Sequence, residues 1–360
     1  MSRRTERTAM VGGGYYNRNS TLQALVAERC GALVSPADVQ AQHLTLVDYG
    51  CSEGSNSIRL IGKALTVCPE DSTVTMVFND TPANDYISLA ATIDRFLQDP
   101  ETRQSARKLM PLMAPQSYYQ QIVPEASVDV GFSTATLHWI GRLQPTAPDW
   151  LPADADVAAE VLADICCFLR SRHREVRRGG HLLLSFPVAG ALSLECAYPS
   201  IFQCLHDLSR DGVISPDAAS HFRLPFHFRT AAEIQQALDA VRAEWAVVEH
   251  FTLDVDHPAF LQFHATLPEG PDAVPDALAL QAYSQAISAG FVAIIGNTVV
   301  DTAKRFPLAV DAPAALALGS HPEAVIREQM AARLQERLQQ STFWQTPLGN
   351  KYVFLKLRKI

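Results

Sequence analysis

No two cysteines in this chain stand in a CxxC spacing. The seven are scattered and odd in number, and only Cys166 and Cys167 are adjacent. That distribution excludes a disulfide framework or a thiolate zinc site. It fits free thiols in a reducing compartment, so a cytoplasmic location is the expectation. His221, His227, His257 and His264 form no HxxxH pair on one helix, and no metal is expected. Basic residues never gather into a stripe with aromatics between them. With 30 Lys and Arg against 38 Asp and Glu, the formal net charge of -8 argues against a nucleic-acid partner. The chain also reads as lacking a charge-free apolar run of membrane-spanning length, so no membrane association is expected. Ser2-Arg3-Arg4-Thr5-Glu6-Arg7 holds twin arginines, but no apolar stretch or small-residue cleavage site follows. That segment reads as a short disordered arm.

What is present is an alternation of strand and helix signals through the first half. Leu44–Tyr49, Val74–Phe78, Ser127–Phe132 and His181–Phe186 are short apolar runs that read as buried strands. Between them, Ser57–Thr66, Asp85–Leu97 and Val157–Val176 have helical spacing, the last stopped by Gly179-Gly180. This order predicts an α/β fold with a parallel sheet and helices on both faces. From about Gly190 helical signals dominate: Leu194–Leu208, Ala231–Val241, Ala277–Val300 and Pro322–Leu338. Ala246–Val255 reads as a late strand. Pro268, Gly270, Pro271 and Pro275 mark a linker. Lys351–Leu357 alternates polar and apolar residues, the pattern of an edge strand. The expected division is therefore a core over 1–190, a helical segment over 191–245, a return to the sheet over 246–267, a second helical segment over 268–345 and a C-terminal edge strand over 346–360.

Open α/β sheets bind ligands beyond the carboxyl ends of their strands. After the first strand comes Asp48-Tyr49-Gly50-Cys51-Ser52-Glu53-Gly54-Ser55-Asn56. Gly50 and Gly54 permit a tight turn and close approach to a ligand. Asp48 just before them would repel a pyrophosphate but could hold a cationic amino-acid portion. That favours S-adenosylmethionine over NAD, and against an NAD-dependent dehydrogenase. Asp80, at the end of the second strand, can accept two hydrogen bonds from a ribose diol. Ser117 and Tyr118 lie in a loop where one could meet an adenine edge and the other stack on its face.

Four segments, in order, resemble the SABATH methyltransferases, the salicylate and jasmonate carboxyl methyltransferase type. They are the glycine-rich opening Met10–Gln23, the segment Asp48–Asn56, the segment Phe78–Tyr86, and the run from Pro115 through Ser117-Tyr118-Tyr119 to Ser133 and Thr136-Leu137-His138-Trp139. Four motifs in register are specific where one would not be. The resemblance implies a Rossmann-like class I methyltransferase sheet with an α-helical cap, and a homodimer. It implies that Ser20, Asp48, Gly50, Asn56, Asp80, Thr81, Ser117 and Tyr118 contact S-adenosylmethionine, with Tyr16 beside its methionine end. Gln23 and Trp139 would hydrogen-bond the carboxylate of a small organic acid. Val11 departs from the family by standing where several members carry lysine. Ala135 stands where they carry tyrosine, which widens the pocket. Tyr198, Phe343 or Trp344, and His138 are further candidates for its wall.

The expected reaction is O-methylation of a carboxylate, which is ionised near neutral pH and needs no general base. His138 is accordingly read as a wall residue and not as a proton carrier. The same family includes N-methyltransferases of purine-like heterocycles, and a relative that binds the cofactor without turnover is the other alternative.

Overall fold

The computed structural model describes residues 9–104, 106–140, 155–190, 198–268, 274–308 and 321–360. The opening arm 2–7, Gly270 and Pro271 of the linker, and the start of the helix expected from Leu194 lie outside the described residues. Seven strands form one sheet: β1 (His43–Tyr49), β2 (Thr73–Asp80), β3 (Lys108–Pro115), β4 (Val128–Thr134), β5 (Val176–Pro187), β6 (Trp245–Asp256) and β7 (Gly349–Lys359). Their order across the sheet is 3-2-1-4-5-7-6, with only β7 antiparallel to its neighbours. The central strands β1 and β4 are buried almost end to end, because helices cover both faces.

On one face lie α2 (Thr21–Gly31), α3 (Ser55–Leu65) and α4 (Tyr86–Gln98). They set Leu22, Val26, Leu60, Ile61 and Leu89 against Leu44, Leu46, Met76 and Phe78. On the other face lie α6 (Ala155–Glu175) and α9 (Ala231–Ala240), which bring Ile165, Phe168, Ile234 and Leu238 onto Val47, Val77, Leu182 and Leu184. Each such buried side chain contributes roughly 1.5–3 kcal/mol. A third apolar cluster belongs to the cap: α7 (Tyr198–Arg210), α8 (Pro216–His221), α10 (Pro258–His264), α11 (Ala277–Arg305) and α12 (Pro322–Gln340). Across it, Arg337 donates to both oxygens of the buried Asp207 at 2.6 and 2.7 Å. Two short helices, α1 (Tyr15–Asn19) and α5 (Pro100–Gln104), complete the α-helices among the described residues.

Five expectations are corrected. The C-terminal strand is no edge: β7 lies between β5 and β6. Its apparent polar face misled because Lys356 is buried, donating to Asp38 at 2.7 Å and to the Leu33 carbonyl at 2.9 Å. The edge is β6, most of whose residues are exposed. At the other edge β3 went unread, because Pro111 sits mid-strand, which only an edge tolerates. Gly179-Gly180 does not stop a helix: α6 ends at Glu175 and β5 starts at Val176, so both glycines lie in the strand. The segment 191–245 is not all cap, because α9 packs on the sheet with α6. Conversely α10, inside the expected return to the sheet, gives Phe260 and Phe263 to the cap. Finally, Ala277–Val300 carries no charge, and α11 is long and apolar enough by length and composition to cross a membrane, an 18-residue window of it having a mean hydropathy of 1.5. Here half of that window is buried against the cap and the N-terminal segment, as in the core helix of a folded domain.

Candidate active site

The tips of β1 and β2 are welded together by backbone. Gly50 and Cys51 both donate their N–H to the Asn79 carbonyl, at 2.8 and 3.0 Å. Gly50 has φ of 100°, and a side chain there would collide with Thr136, so only glycine lets the two loops touch. Asp80 accepts the N–H of Ser52 on one oxygen and that of Thr81 on the other, each at 2.7 Å. These bonds fix the carboxylate's plane at the rim of a cleft.

The glycine-rich opening closes over this rim through an acid that sequence reasoning passed over. Glu53 is buried; its oxygens accept the N–H of Gly14 at 2.5 Å and of Asn17 at 2.9 Å. Asn17 in turn donates to the Glu53 carbonyl and to Thr92, and accepts from Ser55. Asp85 caps α4 by accepting from Ile87 and Ser88, and also accepts the Gly13 N–H at 2.7 Å. These contacts start α1, whose Tyr16 lines the cleft. Burial, then the charges of Tyr352, Asp80, Asp48 and Glu53, hold its hydroxyl protonated well above the usual range. Val11 is buried against α11 and donates its N–H to Ala293 at 3.0 Å. A lysine there would lose its solvation.

The donor set fits a cationic amino-acid nucleoside. Asp48 is buried beneath the cleft, with one oxygen accepting from Ser57 at 2.5 Å and the other without a partner. Burial pushes its pKa up to about 7 against the opposing Ser57 bond, and the charge of Asp80 adds to the rise. A cation placed beside it would relieve that cost. The hydroxyls of Ser52 and Thr81 are likewise buried without a partner at the strand tips. Ser20 accepts from Asn56 at 3.2 Å, so these two expected contacts form one joined pair beside the cleft.

The loop after β3 carries Ser117 and Tyr118. Tyr118 packs edge-on against Phe168 (5.4 Å, 89°) and lines the cleft; Ser117 is part-buried beside it. What holds the loop is a buried pair near the end of α6. Arg172 donates to the carbonyls of Tyr118 and Gln120, and to both oxygens of Glu175. Glu175 also accepts from the Tyr49 hydroxyl at 2.5 Å and the Ile122 N–H at 2.6 Å. Their i,i+3 spacing near a helix end reads in sequence as surface charge, so nothing announced this role.

Beyond β4 the chain turns at Ala135, whose φ of 53° is rare for a residue with a side chain. Ser133 donates to the Tyr49 carbonyl, and the Ala135 N–H donates to Ser185. Trp139 then pairs with Phe226 as an isolated bridge and packs edge-on against it (4.2 Å, 87°). His138 stacks on Phe228. Beside the cleft opens a chamber, and Gln23, Ala135, His138 and Ile294 border both spaces.

Of the sequence-predicted residues, Tyr16, Gln23, Gly50, Asp80, Thr81, Tyr118, Ala135, His138 and Trp139 line the cleft. Tyr198 lines the chamber. Ser20, Asp48, Asn56 and Ser117 stand behind or beside the cleft's lining. Phe343 goes elsewhere: it stacks on Tyr283 in the cap core (5.8 Å, 11°) and lines neither space. An aromatic in an apolar stretch fills a core as readily as a pocket wall, and sequence gives no way to separate the two. Trp344 packs against the same cluster. Asn350, Ile294 and Phe291, which do line these spaces, were not foreseen.

Residues 6–150 match a sequence model described as SAM-dependent carboxyl methyltransferase. Methyltransferase FUS9 of Gibberella fujikuroi is 30% identical over 70% of this chain and 73% of its own length. Indole-3-acetate O-methyltransferase 1 of Oryza sativa subsp. japonica is 29% identical over 65% of this chain and 70% of its own. Among solved structures, a loganic acid methyltransferase bound to SAH superposes with a TM-score of 0.67 at 16% identity, covering 97% of this chain and 98% of that one.

Proposed function

The chain belongs to the S-adenosylmethionine-dependent carboxyl methyltransferases of the SABATH type, and from that premise we propose that the cleft between β1, β2 and β4 is where it esterifies a small carboxylic acid, with Gln23 and Trp139 gripping the carboxylate. One observation carries the assignment: Gln23 and Trp139 line the same cleft as Gly50, Asp80 and Tyr118. Donors for an anion therefore share one space with groups suited to a nucleoside.

When bound, S-adenosylmethionine supplies a methyl group activated by its sulfonium. Asp80 is set to accept from the ribose hydroxyls, with its plane already fixed by Ser52 and Thr81. Asp48 offers its unpartnered oxygen to the ammonium end. Tyr118 supplies an aromatic face on a loop that Arg172 holds. Gln23 and Trp139 are neutral N–H donors, so they orient the acceptor carboxylate without neutralising it. The acid is already ionised near neutral pH, so no residue has to remove a proton. Trp139 is locked against Phe226, and a fixed donor is worth more than a mobile one in setting an attack geometry. The cap's apolar cluster shields the anion from water, which favours the less charged transition state.

The homodimer and the cytoplasmic location belong to the same proposal. The first rests on the family resemblance and is tested by light scattering on the eluting protein; the second rests on cysteine usage alone. The reaction itself is tested by transfer of a labelled methyl group onto a panel of acids and xanthines. Product released by mild base supports the ester. Label in a base-stable product would assign the cleft to N-methylation instead.

A further inference from the structure

The turn that carries Trp139 is held at each of its four carbonyls. Thr136 accepts the Trp139 N–H at 3.0 Å and the Tyr118 hydroxyl at 3.4 Å. His138 accepts the His227 N–H at 2.8 Å, and Trp139 accepts the Tyr119 hydroxyl at 3.4 Å. The Leu137 carbonyl accepts from Arg229. Thr136, His138 and Trp139 line the cleft, whereas Leu137 sends its side chain into the apolar cluster beneath α6. The segment 224–229 runs beside this turn with its side chains alternating. Leu224, Phe226 and Phe228 line the chamber, while His227 reaches Glu233 at 2.9 Å and Arg229 goes inward. Arg229 is only 1% exposed and lines neither the cleft nor the chamber.

The second terminal nitrogen of Arg229 donates to the Val161 carbonyl of α6 at 3.3 Å, and its guanidinium lies 5.9 Å from the Phe186 ring. Its Nε has no partner. Among the described residues its N–H groups thus meet two backbone carbonyls and no carboxylate. A cation buried in this way is costly, and an apolar side chain would fill the place without that cost. What only a guanidinium supplies here is a rigid fork of donors that joins two carbonyls. The backbone of the same residue accepts the Ala189 N–H at 3.1 Å, so Arg229 ties the turn after β4 to the end of β5 and to α6. We propose that Arg229 is a positioning residue, which sets this turn so that the Trp139 indole stands where the acceptor carboxylate is gripped. The inference rests on the carboxylate reading above and adds a residue that acts through Trp139 without touching either ligand.

The test compares Arg229→Met, which removes charge and fork, with Arg229→Lys, which keeps the charge without the fork. Fluorotryptophan labelling gives each of the four tryptophans a fluorine resonance, and Trp139→Phe and Trp245→Phe assign two of them. Trp245 is buried and donates its indole N–H to the Leu169 carbonyl at 3.2 Å, so it reports how α6 sits on the sheet. In Arg229→Met the Trp139 resonance should shift or broaden while that of Trp245 stays in place. Methyl transfer is followed on indole-3-acetate, salicylate, cinnamate and decanoate. On every acid the parent esterifies, kcat/KM should fall by about tenfold or more, since a small misplacement of a donor is enough for that. Arg229→Lys should recover part of the loss, and calorimetric affinity for S-adenosylhomocysteine should change little. Added to Trp139→Phe, the Met substitution should cost little more, because it acts through the group already removed. A Trp139 resonance that stays put, movement of both resonances together, unchanged kcat/KM or additive losses each overturn the inference and leave the carboxylate reading standing. Should Arg229→Met not fold, the same four outcomes are read from Arg229→Lys. If the parent esterifies none of the four acids although S-adenosylhomocysteine binds, the carboxylate reading falls and this inference with it.

Discussion

Arg172 and Glu175, both without solvent exposure, pair at 2.7 Å near the end of α6 and between them hold the loop on which Tyr118 rides. A buried pair of this kind is not worth much against an apolar replacement of both partners, but breaking it from one side strands a charge. Glu175→Ala should therefore cost about 3–5 kcal/mol in urea unfolding. Glu175→Gln, which keeps the shape, should fold and yet weaken S-adenosylhomocysteine binding through the loosened loop. Calorimetric affinity equal to the parent's in the Gln variant would show that the pair is structural only.

Asp48 sets stability against binding. Its pKa in the folded chain, about 7, stands above the ordinary carboxylate value of 3.8. The folded state therefore holds an extra proton between about pH 4 and 7, and the group's contribution to stability is lost as pH rises through that window. Without ligand, Asp48→Asn should raise the unfolding free energy at pH 8 by an amount on the order of a few kcal/mol, and the thermal midpoint with it. The same change should weaken S-adenosylhomocysteine binding at pH 8 by about tenfold or more, since it removes the carboxylate proposed to pair with the ammonium. Thermal scans and calorimetry on one sample check both signs.

Asp80 and Trp139 line one cleft and are expected to fail differently. Asp80→Ala removes the ribose acceptor, whose charge-assisted bonds contribute about 1.5–3 kcal/mol each, so cofactor affinity should drop sharply. Trp139→Ala should leave that affinity nearly intact and instead raise the acceptor KM or lower kcat. Separate titration of the two ligands decides it, and the reverse pattern would mean the ligands had been exchanged.

His257 caps α10 through its ring nitrogen, accepting from Ala259 at 3.2 Å, and burial pushes its pKa down to about 4 from 6.5. Here the unfolded chain binds the extra proton, so stability falls as pH drops from about 6.5 to 4. His257→Asn keeps a capping oxygen and should remove that acid-side loss while changing neutral-pH stability by about 1 kcal/mol or less. Asp48 acts in the opposite direction over the same window. The difference between parent and variant unfolding curves is therefore the quantity to plot.

The strands that build the site were legible in the sequence because β1, β2 and β4 are buried on both faces, which leaves mostly apolar runs, the first ended by Gly50 and the second by Asn79-Asp80. Edges were not legible. Lys356 looked solvated but is paired in the core, and Pro111 looked like a break but sits at a rim where no partner needs its missing N–H. The residues proposed to meet the nucleoside stand in short motifs with local geometry. The acceptor side was harder, because its wall is assembled from β7, α7 and α11, residues far apart in sequence whose composition resembles any apolar interior. Glu53 and Arg172 escaped notice for a related reason: a charge in sequence gives no sign of whether it faces water or backbone.

The position of β7 also constrains how the molecule comes together. Within the sheet β6 touches only β7, yet the chain makes β6 first and then the residues between 256 and 349, which include three cap helices, before its partner exists. Two apolar strand surfaces must wait, unjoined, for a late segment to slot between them. That long-range closure makes assembly slow and exposes the half-built sheet to sticking to its neighbours in the meantime.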